Sequence, residues 1–244
     1  MTNPGLQLKT LLTDPLTIAI GASAFLLLVG ELLSPGFAQG WQIVRLLTIA
    51  AILGIVAAGQ NLVILGGREG IDLSVGAMIS LGAVLAGNMM NGQNAGIPFA
   101  ILVAGGIPFL IGLINGLGIT FVRIPPLVMT LGMTAVIQGG LVVYSQGVPS
   151  GAAAPLLAGF INRPLVFGIP GVLFVWLGIA AIMLFVLRRT AFGFAIYAIG
   201  SNERAATLTG LPVSLIRTLL YGLSGLFAGL TGVCVIGYTG TSFI

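Results

Sequence analysis

The chain has 244 residues, of which 57% are hydrophobic and only 6% charged, with a formal net charge of +4 and no histidine. Soluble domains carry roughly 25% charged residues, so the composition excludes a water-soluble globule and marks an integral membrane protein. The absence of His also excludes a His-based metal site or general base. The small positive balance reads as membrane-flanking Lys and Arg rather than as a nucleic-acid surface.

A spanning helix needs about 20 mostly apolar residues, and seven such segments follow one another along the chain: 16–33, 44–65, 73–90, 97–122, 127–146, 172–187 and 218–237. Each is predicted to be a helix, because the runs exceed strand length and lipid offers no partners for backbone groups. The first ten residues carry only Lys9, and no small-residue cleavage site follows the first run. Residues 16–33 therefore read as a retained helix, not as a removed signal peptide.

Between the second and third segments, Gly66-Gly67-Arg68-Glu69-Gly70-Ile71-Asp72-Leu73-Ser74-Val75-Gly76 places three charges and several glycines in otherwise continuous apolar sequence. Ionisable groups near membrane depth are costly and mark functional sites, and Gly-rich breaks expose backbone to polar pathways in transporters. The alternative is a wet turn, with Asp72 and Ser74 serving as helix-start residues. Further on, Leu113-Ile114-Asn115-Gly116-Leu117 precedes Val122-Arg123-Ile124-Pro125-Pro126 and Thr130-Leu131-Gly132. The two prolines break the chain between the fourth and fifth helices. Asn115 lies inside an apolar helix, where its amide seeks a neighbouring helix or a polar cavity, and Gln138 poses the same choice.

The connection 147–171 is long, weakly charged and rich in Gly and Pro, and its LLAGF stretch is too short to span, which suits a re-entrant or interfacial piece. The connection 188–217 holds four of the nine basic residues (Arg188, Arg189, Arg204, Arg217) and the acidic Glu203. Within it, Ser201 is a predicted N-cap, Asn202 and Glu203 fall in a first turn, and Gly210 with Pro212 forms a stop. These signals predict a helix of about two turns at 202–209, either a recognition element or a capped loop helix. In the last segment Gly222, Gly225, Gly229 and Gly232 lie on one helix face, and Gly112 with Gly116 forms a second small-residue pair; close helix packing accounts for both. Cys234 is the sole cysteine and forms no intrachain disulfide.

With the N-terminus inside, Lys9, Arg68, Arg123, Arg188, Arg189, Arg204 and Arg217 lie on the cytoplasmic side, and only Arg45 and Arg163 at or beyond the outer side. Seven against two favours this orientation and places 188–217 in the cytoplasm. The fold class expected is an all-α, polytopic membrane bundle of about seven transmembrane helices forming a single permease domain over residues 1–244.

Three blocks in this order resemble the permease subunits of bacterial ABC importers of the ribose and branched-chain amino acid type. Gly70-Ile71-Asp72-Leu73-Ser74-Val75-Gly76 is similar to the signature of the sugar branch, although Arg68-Glu69 separates it from the preceding Gly-Gly pair. The stretch from Gly112 through Pro126 to Gly132 resembles the family's next block. Gly200-Ser201-Asn202-Glu203-Arg204-Ala205-Ala206 to Gly210, continuing into Tyr221-Gly222-Leu223-Ser224-Gly225, resembles its cytoplasmic coupling segment.

The resemblance implies a transporter without catalytic residues, cofactor or metal, sited in the bacterial inner membrane. It would work as a dimer of permease copies with two ATPase subunits and an external solute-binding protein, importing a monosaccharide such as a pentose by alternating access. Asn202, Glu203, Arg204, Ala205, Ala206 and Gly210 would face the ATPase; Asp72, Ser74 and Asn115 are the candidate pathway residues. It also implies further C-terminal helices after residue 244, so the sequence is expected to be a fragment. Branched-chain amino acids and nucleosides remain rival solutes. An ion-coupled secondary carrier is disfavoured because Asp14, Glu31, Glu69, Asp72 and Glu203 all fall near predicted helix ends. A membrane enzyme has little support without His and with few nucleophile–base candidates.

Overall fold

The computed structural model describes residues 14–67, 70–148, 150–166 and 168–241. The expectations that rest on Lys9, Arg68 and Glu69 lie outside the described residues. The described chain forms an all-α, multi-pass membrane bundle with one small two-stranded hairpin, and it divides into two compact units, one ending at Leu47 and one starting at Thr48.

The first unit holds α1 (Pro15–Leu33) and the opening turns of α2 (Gly40–Leu65). Asp14 caps α1 by accepting from the Thr17 amide at 3.2 Å, and Pro15 occupies the first helical position, where its missing N–H costs nothing. No residue of α1 is buried, and apart from Thr17, Ser23 and Glu31 its exposed side chains are apolar, as in a lipid-exposed span. Glu31 does not stand uncompensated in this helix. Its carboxylate accepts from the Gly36 amide at 3.0 Å and the Ala38 amide at 2.7 Å, and so fastens the turn that follows. Arg45 lies 5.5 Å from the Trp41 ring centroid, a cation–π contact within reach of an interfacial anchor.

The second unit contains the rest of α2 and all later elements: α3 (Val75–Met90), a 3-10 turn at Asn94–Gly96, α4 (Ile97–Thr120), α5 (Pro126–Ser145), α6 (Pro155–Asn162), strands β1 (Pro164–Val166) and β2 (Ile169–Pro170), α7 (Gly171–Arg189), α8 (Ala191–Ser201), α9 (Glu203–Leu208) and α10 (Val213–Thr239). Its centre is α10, which packs along α4 and α3. The predicted glycine stripe makes this possible. A methyl group on Gly225 would strike the Pro108 carbonyl, on Gly229 the Ala104 carbonyl, and on Gly232 the Ile79 carbonyl, so the helix backbones touch directly. Gly112 and Gly116 of α4 meet the α10 backbone at Tyr221 and Thr218 in the same way.

Six helices among the described residues are long and apolar enough to span, against seven predicted segments. The seventh, expected at 73–90, is α3, which has only 16 residues. It begins late because Asp72 and Ser74 hold the preceding turn by side-chain bonds instead of continuing a helix. The last segment, expected at 218–237, runs from Val213 to Thr239 because Pro212 supplies its start. As the prolines require, α4 stops at Thr120 and α5 starts at Pro126, with Arg123 at φ 62° in the turn between them.

In the connection 147–171, α6 lies against the end of α10, where Ile161 is buried and Asn162 donates to the Gly237 carbonyl at 2.9 Å. The hairpin β1–β2 then leads into α7. The connection 188–217 contains a helix absent from the sequence reading, α8. Thr190 caps it through the Gly193 amide, and Gly193, Ala195, Ile196 and Ile199 are buried.

Candidate functional site

Asp72, Ser74 and Asn115 come together inside the second unit, between α2 and α3 on one side and α4 on the other. One Asp72 oxygen accepts from the Ser74 amide at 3.0 Å and the Ser74 hydroxyl at 2.5 Å. This local turn is what short polar side chains do when they compete with helix formation. The second Asp72 oxygen accepts from the Ser224 hydroxyl of α10 at 3.0 Å. Asn115 donates from Nδ2 to Ser74 Oγ at 3.0 Å. The four side chains thus tie the start of α3 to α4 and α10.

The network is dry. Asp72 is 3% exposed, and Ser74, Asn115 and Ser224 are fully buried. Burying a carboxylate is expensive unless its lone pairs are satisfied, and three hydroxyl or amide donors meet that requirement here. Asn115 Oδ1 is the exception, buried without a hydrogen-bond partner. Such an acceptor costs about 1–3 kcal/mol in an interior. Asp72 stands just before α3, near a helix end as expected, but its burial shows that a helix end here does not mean exposure to water.

Sequence reasoning missed Ser224 as a member of this group. It stands among Gly222, Gly225 and Gly229, where a serine reads as one more small packing residue.

The second site is α9. Asn202, not Ser201, is its N-cap: the Asn202 side chain accepts from the Ala205 amide at 3.0 Å, while Ser201 ends α8. The one-residue displacement follows from α8, which uses Ser201 as its last helical residue. At the other end Gly210 has φ +83°, the Leu211 amide donates to Ala206 at 3.2 Å, and the Gly210 amide donates to Thr207 at 3.0 Å. This pair of bonds is a Schellman cap, which favours glycine at that position. Ala206 is buried against the core containing Leu62, Ile196 and Leu220, while Arg204, Ala205, Thr207 and Leu208 are exposed, Leu208 at 84%.

Glu203 turns back onto its own chain. Arg217 of α10 grips its carboxylate with both terminal nitrogens, at 2.8 and 3.2 Å. Beside this pair opens a cavity of about 470 Å³, lined among others by Gly66, Gly67, Arg123 and Tyr221. The cavity therefore lies between α9 and the chain entering the Asp72 turn. Among the described residues no group of three His, Cys, Asp or Glu side chains gathers to hold a metal ion.

A family model described as branched-chain amino acid transport system / permease component matches residues 42–244. The ribose import permease protein RbsC of Bacillus subtilis (strain 168) is 37% identical over 210 residues, 85% of this chain and 64% of that protein. The fructose import permease protein FrcC of Rhizobium meliloti is 32% identical over 226 residues, 88% of this chain and 61% of that protein. The autoinducer 2 import system permease protein LsrC of Escherichia coli O9:H4 (strain HS) is 31% identical over 217 residues, 86% of this chain and 62% of that protein. The chain spans less than two thirds of the length of these relatives. No solved structure matches it significantly. With the match running through both the Asp72 turn and α9, the chain belongs to the branched-chain amino acid transport system / permease component family.

Proposed function

We propose that this chain is a membrane-spanning subunit of an ATP-driven importer for a monosaccharide, set in a bacterial inner membrane with its N-terminus in the cytoplasm. It pairs with a second permease copy, two ATPase subunits and an external solute-binding protein. The observation that carries this reading is α9: a six-residue helix, capped at both ends and exposed except for Ala206, on a bundle whose relatives include ribose and fructose import permeases.

In this reading Arg204, Ala205 and Leu208 form the ATPase-facing surface. Asn202 and Gly210 hold the two ends of α9, Ala206 seats it, and Glu203 ties it to α10. Asp72, Ser74 and Asn115 supply polarity beside the solute path. The unpaired Asn115 Oδ1 supports that role, because a solute hydroxyl or an altered conformation would satisfy it.

The test is uptake into proteoliposomes containing the permease, its co-expressed ATPase and its binding protein. ATP-dependent uptake of labelled ribose, with labelled leucine and uridine excluded, is the expected result. Leucine or uridine uptake would instead select a rival solute. Uptake that needs no ATP and collapses with a protonophore would overturn the importer reading in favour of an ion-coupled carrier, the class that buried Asp72 most resembles.

A further inference from the structure

Three residues of α10 stand at i, i+4 and i+7 and so share one face of the helix. Arg217 grips Glu203 of α9, Tyr221 donates from its hydroxyl to the Ile71 carbonyl at 3.4 Å, and Ser224 donates to Asp72 at 3.0 Å. We infer that this face is a polar rail through which the position of α9 sets the geometry of the buried Asp72 turn, with Arg217 and Tyr221 as positioning residues. The inference rests on reading α9 as the ATPase-facing helix, and gives that helix a route into the membrane.

The physical grounds are independent of that reading. Four residues, Thr209 to Pro212, separate α9 from α10, and Ala206 alone of α9 is buried, so the backbone link and that one anchor leave the short helix room to pivot. The Arg217–Glu203 fork removes that freedom because a bidentate guanidinium contact fixes orientation as well as distance. From Arg217 to Ser224 the helix is continuous and about 10 Å long, with no proline to absorb a displacement.

At the far end, the Ser74 amide and hydroxyl share one Asp72 oxygen while Ser224 holds the other. A shift of α10 along its axis therefore moves one oxygen against the other. Beside the rail, Gly225, Gly229 and Gly232 bring α10 into direct backbone contact with α4 and α3, so a displacement of α10 is felt at once by the helices that flank the Asp72 turn.

The Ser74 amide reports the carboxylate directly, so hydrogen exchange on the detergent-solubilised full chain tests the rail. Arg217→Ala is expected to speed exchange at Ser74 about threefold, a ceiling set by the modest strength of a half-exposed ion pair. Control amides at 137–141 in α5 stay unchanged. Tyr221→Phe gives a similar rise, and the double variant no more than the larger single one, because both cut the same path. The exchanged pair Glu203→Arg with Arg217→Glu restores protection, and Arg217→Lys, the milder variant, gives an intermediate rise if Arg217→Ala misfolds.

Unchanged exchange at Ser74, an equal rise at 137–141, or strict additivity of the two single variants would each overturn the rail. Absence of ATP-driven uptake by the wild-type assembly would overturn the importer reading and leave the exchange result standing.

Discussion

The side-chain amide of Asn115 and the hydroxyl of Ser74 meet at 3.0 Å, joining α4 to the start of α3 where no solvent reaches. Ser74 Oγ donates to Asp72 and accepts from Asn115, so its orientation is set from both sides. A broken hydrogen bond here is not replaced by water at low cost, and substitutions in this group are correspondingly informative.

Asp72→Ala leaves the Ser74 amide and two hydroxyls without their acceptor, and is expected to destabilise the bundle by about 2–5 kcal/mol. Asp72→Asn keeps the shape and one carbonyl acceptor for Ser74, while its new N–H can donate to a rotated Ser224 hydroxyl. Its expected cost is about 1 kcal/mol. Denaturant titrations in detergent separate the two. Equal losses would show that the charge, not the hydrogen-bond pattern, holds the turn.

Asn115 offers the opposite case, because one of its polar atoms is already unpaired. Asn115→Leu removes the orphan Oδ1 together with the bond to Ser74, so the two effects partly cancel, and thermal stability is expected to shift by less than about 1 kcal/mol. If the solute path runs beside this residue, uptake of ribose falls at least roughly tenfold all the same, in line with the loss of a polar recognition group. Retained uptake with retained stability would remove Asn115 from the pathway.

Glycines divide by what lies beside them. Gly229→Ala drives a methyl into the Ala104 carbonyl and Gly232→Ala into the Ile79 carbonyl, and each is expected to cost about 1–3 kcal/mol as overpacking. Gly178 of α7 has nothing within 4 Å of an added Cβ, so Gly178→Ala is neutral or stabilises by up to about 1 kcal/mol through helix propensity. Melting temperatures of the three variants side by side check the ordering.

That contrast shows how far the sequence could be read. The stripe at Gly222, Gly225, Gly229 and Gly232 has helical spacing, and the spacing alone marks it as a contact face. Gly178 is another glycine in an apolar helix, and only the fold reveals its open surroundings. The existence of the long spanning helices was legible because lipid permits nothing else to such apolar runs. Helix depth was not. Asp72 stands at a helix end, which in most membrane proteins means water, but α3 is short and starts within the bundle. Charges also hid α8: Arg188 and Arg189 before it and Glu203 and Arg204 after it make the whole connection look wet, although AFGFAIYAIGS buries four of its residues. Ser224 and Arg217 were invisible as partners because their mates lie 152 and 14 residues away.

The neighbouring alanines of α9 give the sharpest test of the ATPase-facing surface. Ala205 is exposed, and Ala206 is 4% exposed against Leu62 and Ile196. Ala206→Arg must expel an uncompensated cation from this pocket or open α9, so loss of ATPase co-purification would come with a lower melting temperature, by an amount equivalent to several kcal/mol. Ala205→Arg meets only solvent in the isolated chain, and its melting temperature is expected to remain within the equivalent of about 0.5 kcal/mol of wild type. If α9 enters a groove of the ATPase, the same large cation closes that approach, and tag purification of the permease no longer retains the ATPase. Gly210→Ala lies between the two: its φ of +83° is costly for any side chain, by about 1 kcal/mol, yet no atom lies within 4 Å of the new methyl. The Schellman cap loosens and retention weakens without being abolished. ATPase retention by Ala205→Arg, in a chain of unchanged stability, would show that the partner does not rest on this face of α9.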